Sequence, residues 1–153
     1  MHPEEKIKEL GLKLPSAATP VANYVSAVRT GNLVFLSGHG PRDSEGGMIS
    51  GKVGGEMTLE EGYGAAKNVG LNLLGSLKAE IGDLGQVKRI VKLLGMVNGV
   101  EGFVEQPKVI NGCSDLMVEV FGEEIGKHAR SAVGMGSLPF NIPVEIEMIV
   151  EVE

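Results

Sequence analysis

HARSAVGMGSLPFNIPVEIEMIVEVE, residues 128–153, is the stretch on which the reading of the chain turns. Its second half, PVEIEMIVEV (143–152), alternates apolar and polar residues, the period of a half-buried β-strand. Val144, Ile146, Met148, Val150 and Val152 share one face and are expected to meet helices. Glu145, Glu147, Ile149 and Glu151 share the other. RSAVGMGSL (130–138) reads as a partner strand, and the turn around Pro139–Pro143 predicts a closing hairpin. On that strand Arg130, Ala132, Gly134 and Gly136 lie opposite Val133 and Met135. Their small, flat face is expected to lie away from the helices, against other subunits. Hairpin pairing would leave Arg130 and Glu145 roughly 23 Å apart, so one small substrate could touch both only across a subunit boundary. A plain hairpin has no need of a cation and two anions placed in this way.

The sequence before it supplies the rest of a fold. TLEEGYGAAKNVGLNLLGSLKAEIG (58–82) is the clearest helix. Thr58 and Glu61 form a capping box, and Leu59, Tyr63, Ala66, Leu73 and Leu77 keep helical spacing. Its glycines each weaken a helix by about 1 kcal/mol relative to alanine, a cost that predicts close packing on a sheet. QPKVINGCSDLMVEVFGEEIG (106–126) is a second helix, with Pro107 in its first turn and Ile110, Cys113, Met117 and Val120 as its buried stripe. VKRIVKLLGMVNG (87–99) between them is strand-like. YVSAVRTGNLVFLSG (24–38) reads as two strands around the turn T-G-N. GHGPRDSEGGMISGKVGGE (38–56) is a wandering loop or holds a third short strand at Met48–Ile49. PEEKIKELG (3–11) is a short helix and LPSAATPVA (14–22) a linker. The order β-β-(β)-α-β-α-β-β predicts an α+β, two-layer sandwich: a mixed sheet with two long helices on one face. Residues 1–19 form an N-terminal extension and 20–153 a single domain.

Composition narrows the function. The chain has 153 residues, 42% apolar and 22% charged, enough for one core. It has no long apolar run and no signal-peptide core, so a cytoplasmic protein that does not engage a membrane is expected. Its one cysteine, Cys113, excludes an intrachain disulfide and a zinc site built from cysteines. A net charge of −6, with few aromatics, argues against nucleic acid as partner.

The segments A-R-S-A-V-G (129–134), L-P (138–139) and V-E-I-E-M (144–148) resemble the closing signature of the Rid family, also called YjgF or L-PSP endoribonucleases. NYVSAVRTGNLVFLSGHGP (23–41) is similar to that family's opening hairpin, and VING (109–112) to its asparagine at the start of the second helix. The resemblance spans residues 20–153. It implies a chorismate-mutase-like fold assembled as a homotrimer, with clefts between subunits, and it calls for neither cofactor nor metal. It further implies hydrolytic deamination of reactive imines and enamines of the 2-aminoacrylate type to 2-keto acids and ammonia. Carried over by position, Arg130 would hold the carboxylate of a small-molecule substrate and Glu145 would position or activate water. Tyr24 and Asn111 would line the cleft, and Ser37 and Gly38 would bring backbone to the substrate. Ala132 stands where many members carry cysteine, and Ser37-Gly38-His39 where compact members have S-G-Q. The N-terminal helix is an addition to the compact form.

These residue types suit that chemistry. A guanidinium holds a carboxylate through paired donors, and a carboxylate of tuned pKa can exchange protons with water. Each residue also has a plainer reading. Arg130 could pair with Glu151 or Glu153, and Glu145 and Glu147 could be solvent-facing strand residues. Tyr24 could cover the core, His39 could cap a turn or act as a base, and Cys113 could be a small core residue. Two other functions stay open: a module that binds a carboxylate metabolite without turnover, and the endoribonuclease or translation-inhibitor role attached to the family name.

Overall fold

The computed structural model describes residues 1–17 and 19–153; Ala18, part of the predicted linker, lies outside the described residues. Three helices and five strands follow one another as α1 (Pro3–Glu9), β1 (Ala27–Thr30), β2 (Leu33–His39), α2 (Leu59–Ile81), β3 (Val87–Asn98), α3 (Gln106–Gly126), β4 (Ala129–Met135) and β5 (Val144–Val152). The fold is α+β, with a mixed five-stranded sheet in the order β1-β2-β5-β3-β4. The long helices α2 and α3 pack on each other and on one face of the sheet.

The core follows the sequence periods. Val144, Ile146, Met148, Val150 and Val152 of β5 are buried and meet Leu73 and Leu77 of α2 and Ile110 and Met117 of α3 in one cluster. The capping box of α2 forms as predicted, with Thr58 and Glu61 each accepting the other's backbone N–H. The glycines of α2 pack elsewhere than the sequence suggests. A Cβ on Gly70 would meet Leu116 and Cys113 of α3, and one on Gly75 would collide with the Pro15 carbonyl. Their close approach is to the neighbouring helix and the N-terminal segment, not to the sheet. Residues 40–56 are a loop, with an isolated bridge between Arg42 and Met48 in place of a third strand.

The predicted closing hairpin does not form. β4 pairs with β3 in parallel, and β5 lies on the other side of β3, antiparallel to it and to β2. The reason is the helix between β3 and β4. A strand, a crossover helix and a strand in one sheet make a parallel pair, so β4 takes the outer flank of β3. β5, buried on its helix-facing side from end to end, fills the central place. The connection 136–143 therefore steps over the end of β3. Asn98, fully buried there, holds it: its backbone N–H donates to the Pro143 carbonyl (2.8 Å), and its amide donates to Asn141 Oδ1 (2.9 Å) and the Ile142 carbonyl (3.0 Å).

This pairing also exchanges the two faces of β4. Arg130 lies beside buried Leu93, and Ala132 beside Gly95, where a Cβ would strike Ile110 of α3. Arg130, Ala132 and Gly134 therefore face the helical layer, and half-exposed Val133 lies on the open side of the sheet. The alternation along the strand is as predicted, but its assignment to faces is reversed. The partner strand is β3, not β5.

Candidate functional site

Glu145 is the fourth-last outward residue of the central strand, and it lies where the β2–β5 ladder is broken. The register shifts between Leu36 and His39, so Ser37 and Gly38 form a bulge beside it. A Cβ on Gly38 would run into the Glu145 carboxylate and push it aside, so glycine here leaves that side chain room beside the bulge. The Ser37 hydroxyl donates to the Val25 carbonyl (2.6 Å), and its N–H to the Ser26 carbonyl (2.9 Å), which ties the segment carrying Tyr24 to β2. Tyr24 itself precedes β1 and is not in a strand. The result is a cavity of about 440 Å³ lined by Tyr24, Ser37, Gly38, Arg42, Phe140 and Glu145. Half-burial pushes the Glu145 carboxyl above its ordinary value, and the neighbouring Glu147 charge adds to this.

His39 stands behind the bulge. Its Nδ1 is 2.6 Å from the Ser37 carbonyl and its Nε2 2.7 Å from the Ser76 hydroxyl on α2. It fastens strand to helix rather than capping a turn. Burial lowers its pKa, the Ser37 carbonyl partly offsets this, and the Arg42 charge lowers it further. Phe140, which lines the cavity, and the next residue, Asn141, both adopt left-handed backbone (φ 58° and 57°), an uncommon conformation for residues other than glycine.

Arg130 is held in another place. One of its terminal nitrogens, Nη1, donates to Asn111 Oδ1 (2.8 Å) and to Ser114 Oγ (3.1 Å), both on α3. It pairs with neither Glu151 nor Glu153. His128 completes the cluster, with Nε2 2.9 Å from Ser114 Oγ and Nδ1 2.7 Å from the Gly126 carbonyl. Ala132 packs at the edge of the core beside it. Cys113, one residue from Ser114, is fully buried, and burial pushes its thiol up to about 12. It is a core residue.

Within one chain the expected set therefore divides. Tyr24, Ser37, Gly38 and Glu145 line one cavity; Arg130, Asn111 and Ala132 gather at the edge strand. From the strand register Arg130 and Glu145 lie about 14 Å apart at Cα, on opposite faces. The hairpin-based distance is too long: through β3, Arg130 is level with Met148, three residues along β5 from Glu145, where the hairpin register put seven. Sequence reasoning missed Ser114, His128, Arg42 and Phe140. Ser114 was findable, since it stands three residues after Asn111 and so shares its helical face. His128 was not, since its approach depends on how the end of α3 turns.

Among the described residues, one group brings His and carboxylate ligand atoms within 4.8 Å of one another: His2, Glu4 and Asp83. Its members are already bonded. His2 Nε2 lies 2.7 Å from Asp83 Oδ1, and Glu4 pairs with Lys78. The group docks α1 against the end of α2, with Ile7 buried beneath. No described helix is long and apolar enough to cross a membrane.

The family model described as "YjgF/chorismate mutase-like, putative endoribonuclease" matches residues 4–152. The chain belongs to this family. In the YjgF family its curated relatives include "Protein TCP17" of Trypanosoma cruzi, 46% identical over 95% of this chain and 91% of that one. Another is a "2-iminobutanoate/2-iminopropanoate deaminase" of Dermatophagoides farinae, 29% identical over 93% and 95%. Among solved YjgF-type structures, a "putative endoribonuclease" from Shewanella oneidensis superposes with a TM-score of 0.94 at 32% identity, covering 99% of this chain and all of that one. A protein "with unknown function" from Agrobacterium tumefaciens superposes at 0.90 with 45% identity, covering 99% and 94%.

Proposed function

We propose that this YjgF-family protein hydrolyses small imines and enamines of 2-amino acids to 2-keto acids and ammonia, in clefts between the subunits of a homotrimer. The reading is supported by the way one chain divides the expected residues. It carries a carboxylate-ready arginine at an edge strand and a protonatable glutamate in a cavity about 14 Å away. Neither half is a site alone, whereas Arg130 of one subunit beside Glu145 of the next would make one.

The chemistry follows from the donors. Both protons of Arg130 Nη1 point to α3. The guanidinium carries five N–H groups, so Nε–H and the Nη2 pair are left for the substrate carboxylate. An enamine first takes a proton from solvent on carbon to become the protonated imine. Glu145 then accepts a proton from water as the oxygen adds to the C=N carbon. It returns that proton to nitrogen, and as the C–N bond breaks and ammonia leaves it takes up the remaining hydroxyl proton, so that the keto C=O forms and the proton passes to solvent. Half-burial suits Glu145 to this, because a raised pKa makes it both an adequate base and an adequate acid. Ala132 leaves the Arg130 side without a thiol, so this proton transfer falls to Glu145.

The test is ammonia release from 2-aminoacrylate generated in situ. Wild type should accelerate it, and Arg130→Ala should fall to the uncatalysed rate. Tight binding of pyruvate with no ammonia release would replace hydrolysis by metabolite binding.

A further inference from the structure

The contacts behind Arg130 have one consistent direction. A carbonyl oxygen only accepts, so the Gly126 carbonyl, 2.7 Å from His128 Nδ1, puts the ring proton on Nδ1. In the neutral ring Nε2 is then bare. The Ser114 hydroxyl, 2.9 Å away, donates to it. With its proton committed there, Ser114 Oγ turns lone pairs toward Arg130 Nη1 at 3.1 Å. Asn111 Oδ1 takes the other Nη1 proton at 2.8 Å. Asn111 alone would leave the guanidinium free to swing about a single contact. The second acceptor fixes its plane.

The chain is folded to make this possible. Gly122 adopts φ 83° and interrupts α3, which lets residues 123–128 turn back along the helix. Gly126 lies against the backbone of Met117 and Val118, where a Cβ would collide. That return brings His128 level with Ser114, fourteen residues earlier. Among the described residues no carboxylate pairs with Arg130, so its orientation comes from these neutral acceptors.

We propose that His128 and Ser114 are positioning residues for the carboxylate clamp: the pair sets the plane of the Arg130 guanidinium, and with it the affinity for a 2-keto or 2-imino carboxylate. The inference rests on the clamp reading above. His128 and Ser114 do not touch the substrate. They act by presenting Nε–H and Nη2–H side by side, the geometry a carboxylate needs. Burial and the nearby Arg130 charge both lower the His128 pKa, in keeping with a ring that works in its neutral form.

The experiment measures pyruvate and 2-ketobutyrate affinity by calorimetry, and ammonia release by steady-state kinetics, on the full-length protein. His128→Phe keeps the ring volume and loses both nitrogens; Ser114→Ala loses the hydroxyl. Each should weaken keto-acid affinity about fivefold, the scale of one neutral hydrogen bond. KM should rise by the same factor, with kcat within about twofold. Ser114→Thr, which keeps a hydroxyl, should restore most of the affinity. In an Arg130→Ala background neither substitution should change the residual affinity further, which a purely structural role would not produce. Wild-type affinity in both His128→Phe and Ser114→Ala, with affinity lost in Arg130→Ala, overturns the positioning role and leaves the clamp standing. Undiminished affinity in Arg130→Ala, or no keto-acid binding by wild type, overturns the clamp and this inference with it.

Discussion

Arg130 and Glu145 are tuned in opposite ways, and each tuning has a measurable consequence. Arg130 is set by geometry, with two acceptors on one nitrogen and a free edge beside them. A lysine has three protons on one nitrogen, and contacts to Asn111 and Ser114 would leave a single donor. Arg130→Lys should therefore lose at least about tenfold in pyruvate affinity despite keeping the charge; calorimetry with unchanged affinity would refute the clamp. Glu145 is set by burial. As the base it must be ionised, so kcat/KM should fall as pH falls through a value above the ordinary 4.5. Glu145→Gln should lower kcat by about 10²-fold and flatten that limb. Stability has the opposite sign. A carboxyl whose folded pKa is raised binds its proton more tightly when folded, so it helps the fold below 4.5 and loses that contribution as pH rises through the folded value. At neutral pH Glu145→Gln should be at least as stable as wild type while about 10²-fold slower. A lower melting temperature at pH 7 would contradict this.

Among the elements, the connection from β4 to β5 does the most to shape the site, and Asn98 is its anchor. The fully buried amide of Asn98 satisfies Asn141 and the Ile142 carbonyl and accepts from Lys52 Nζ at 2.7 Å. Asn98→Leu would leave the buried Ile142 carbonyl without its side-chain donor and release Asn141 and Lys52, at about 1–3 kcal/mol for a buried group left unpaired. It should lower stability by that amount in urea unfolding and also raise KM, because Phe140 and Ile142 line the Glu145 cavity. An effect on stability alone would separate the connection from the site. This connection is also where sequence reading stopped. The strands, both long helices, the capping box and the buried stripe of α3 were legible because periods of 2 and 3.6 record burial directly. The pairing of β4 was not, because a short Pro-flanked link looks like a hairpin turn. The β3-α3-β4 crossover that overrides it is a rule about neighbours in space. The site residues were legible through A-R-S and V-E-I-E, but their partition between two places was not. Which face Arg130 takes depends on which strand lies beside it.

For the whole molecule, the sheet's second face is the open matter. Helices cover one side; on the other, Val28, Phe35 and Val133 are 53%, 42% and 39% exposed. An apolar face of this kind is a poor solvent surface. In the proposed trimer three such faces close on one another, a cyclic arrangement that needs no further contact. Sedimentation at micromolar concentration should give three times the chain mass, and a monomer would end the proposal. The same closure predicts complementation. Arg130→Ala and Glu145→Gln subunits, each with about 1% of wild-type activity or less as homotrimers, are mixed under conditions in which exchange is followed by a mass tag. If each cleft takes its arginine from one subunit and its glutamate from the next, some clefts in mixed trimers hold both wild-type residues. A trimer with two subunits of one kind and one of the other has one such cleft among three, so random mixing should return up to roughly a quarter of wild-type activity. If both residues instead served a site within one chain, every subunit would lack one of them and no mixture could recover. Confirmed exchange without activity would therefore overturn the intersubunit cleft, even if the trimer itself were found.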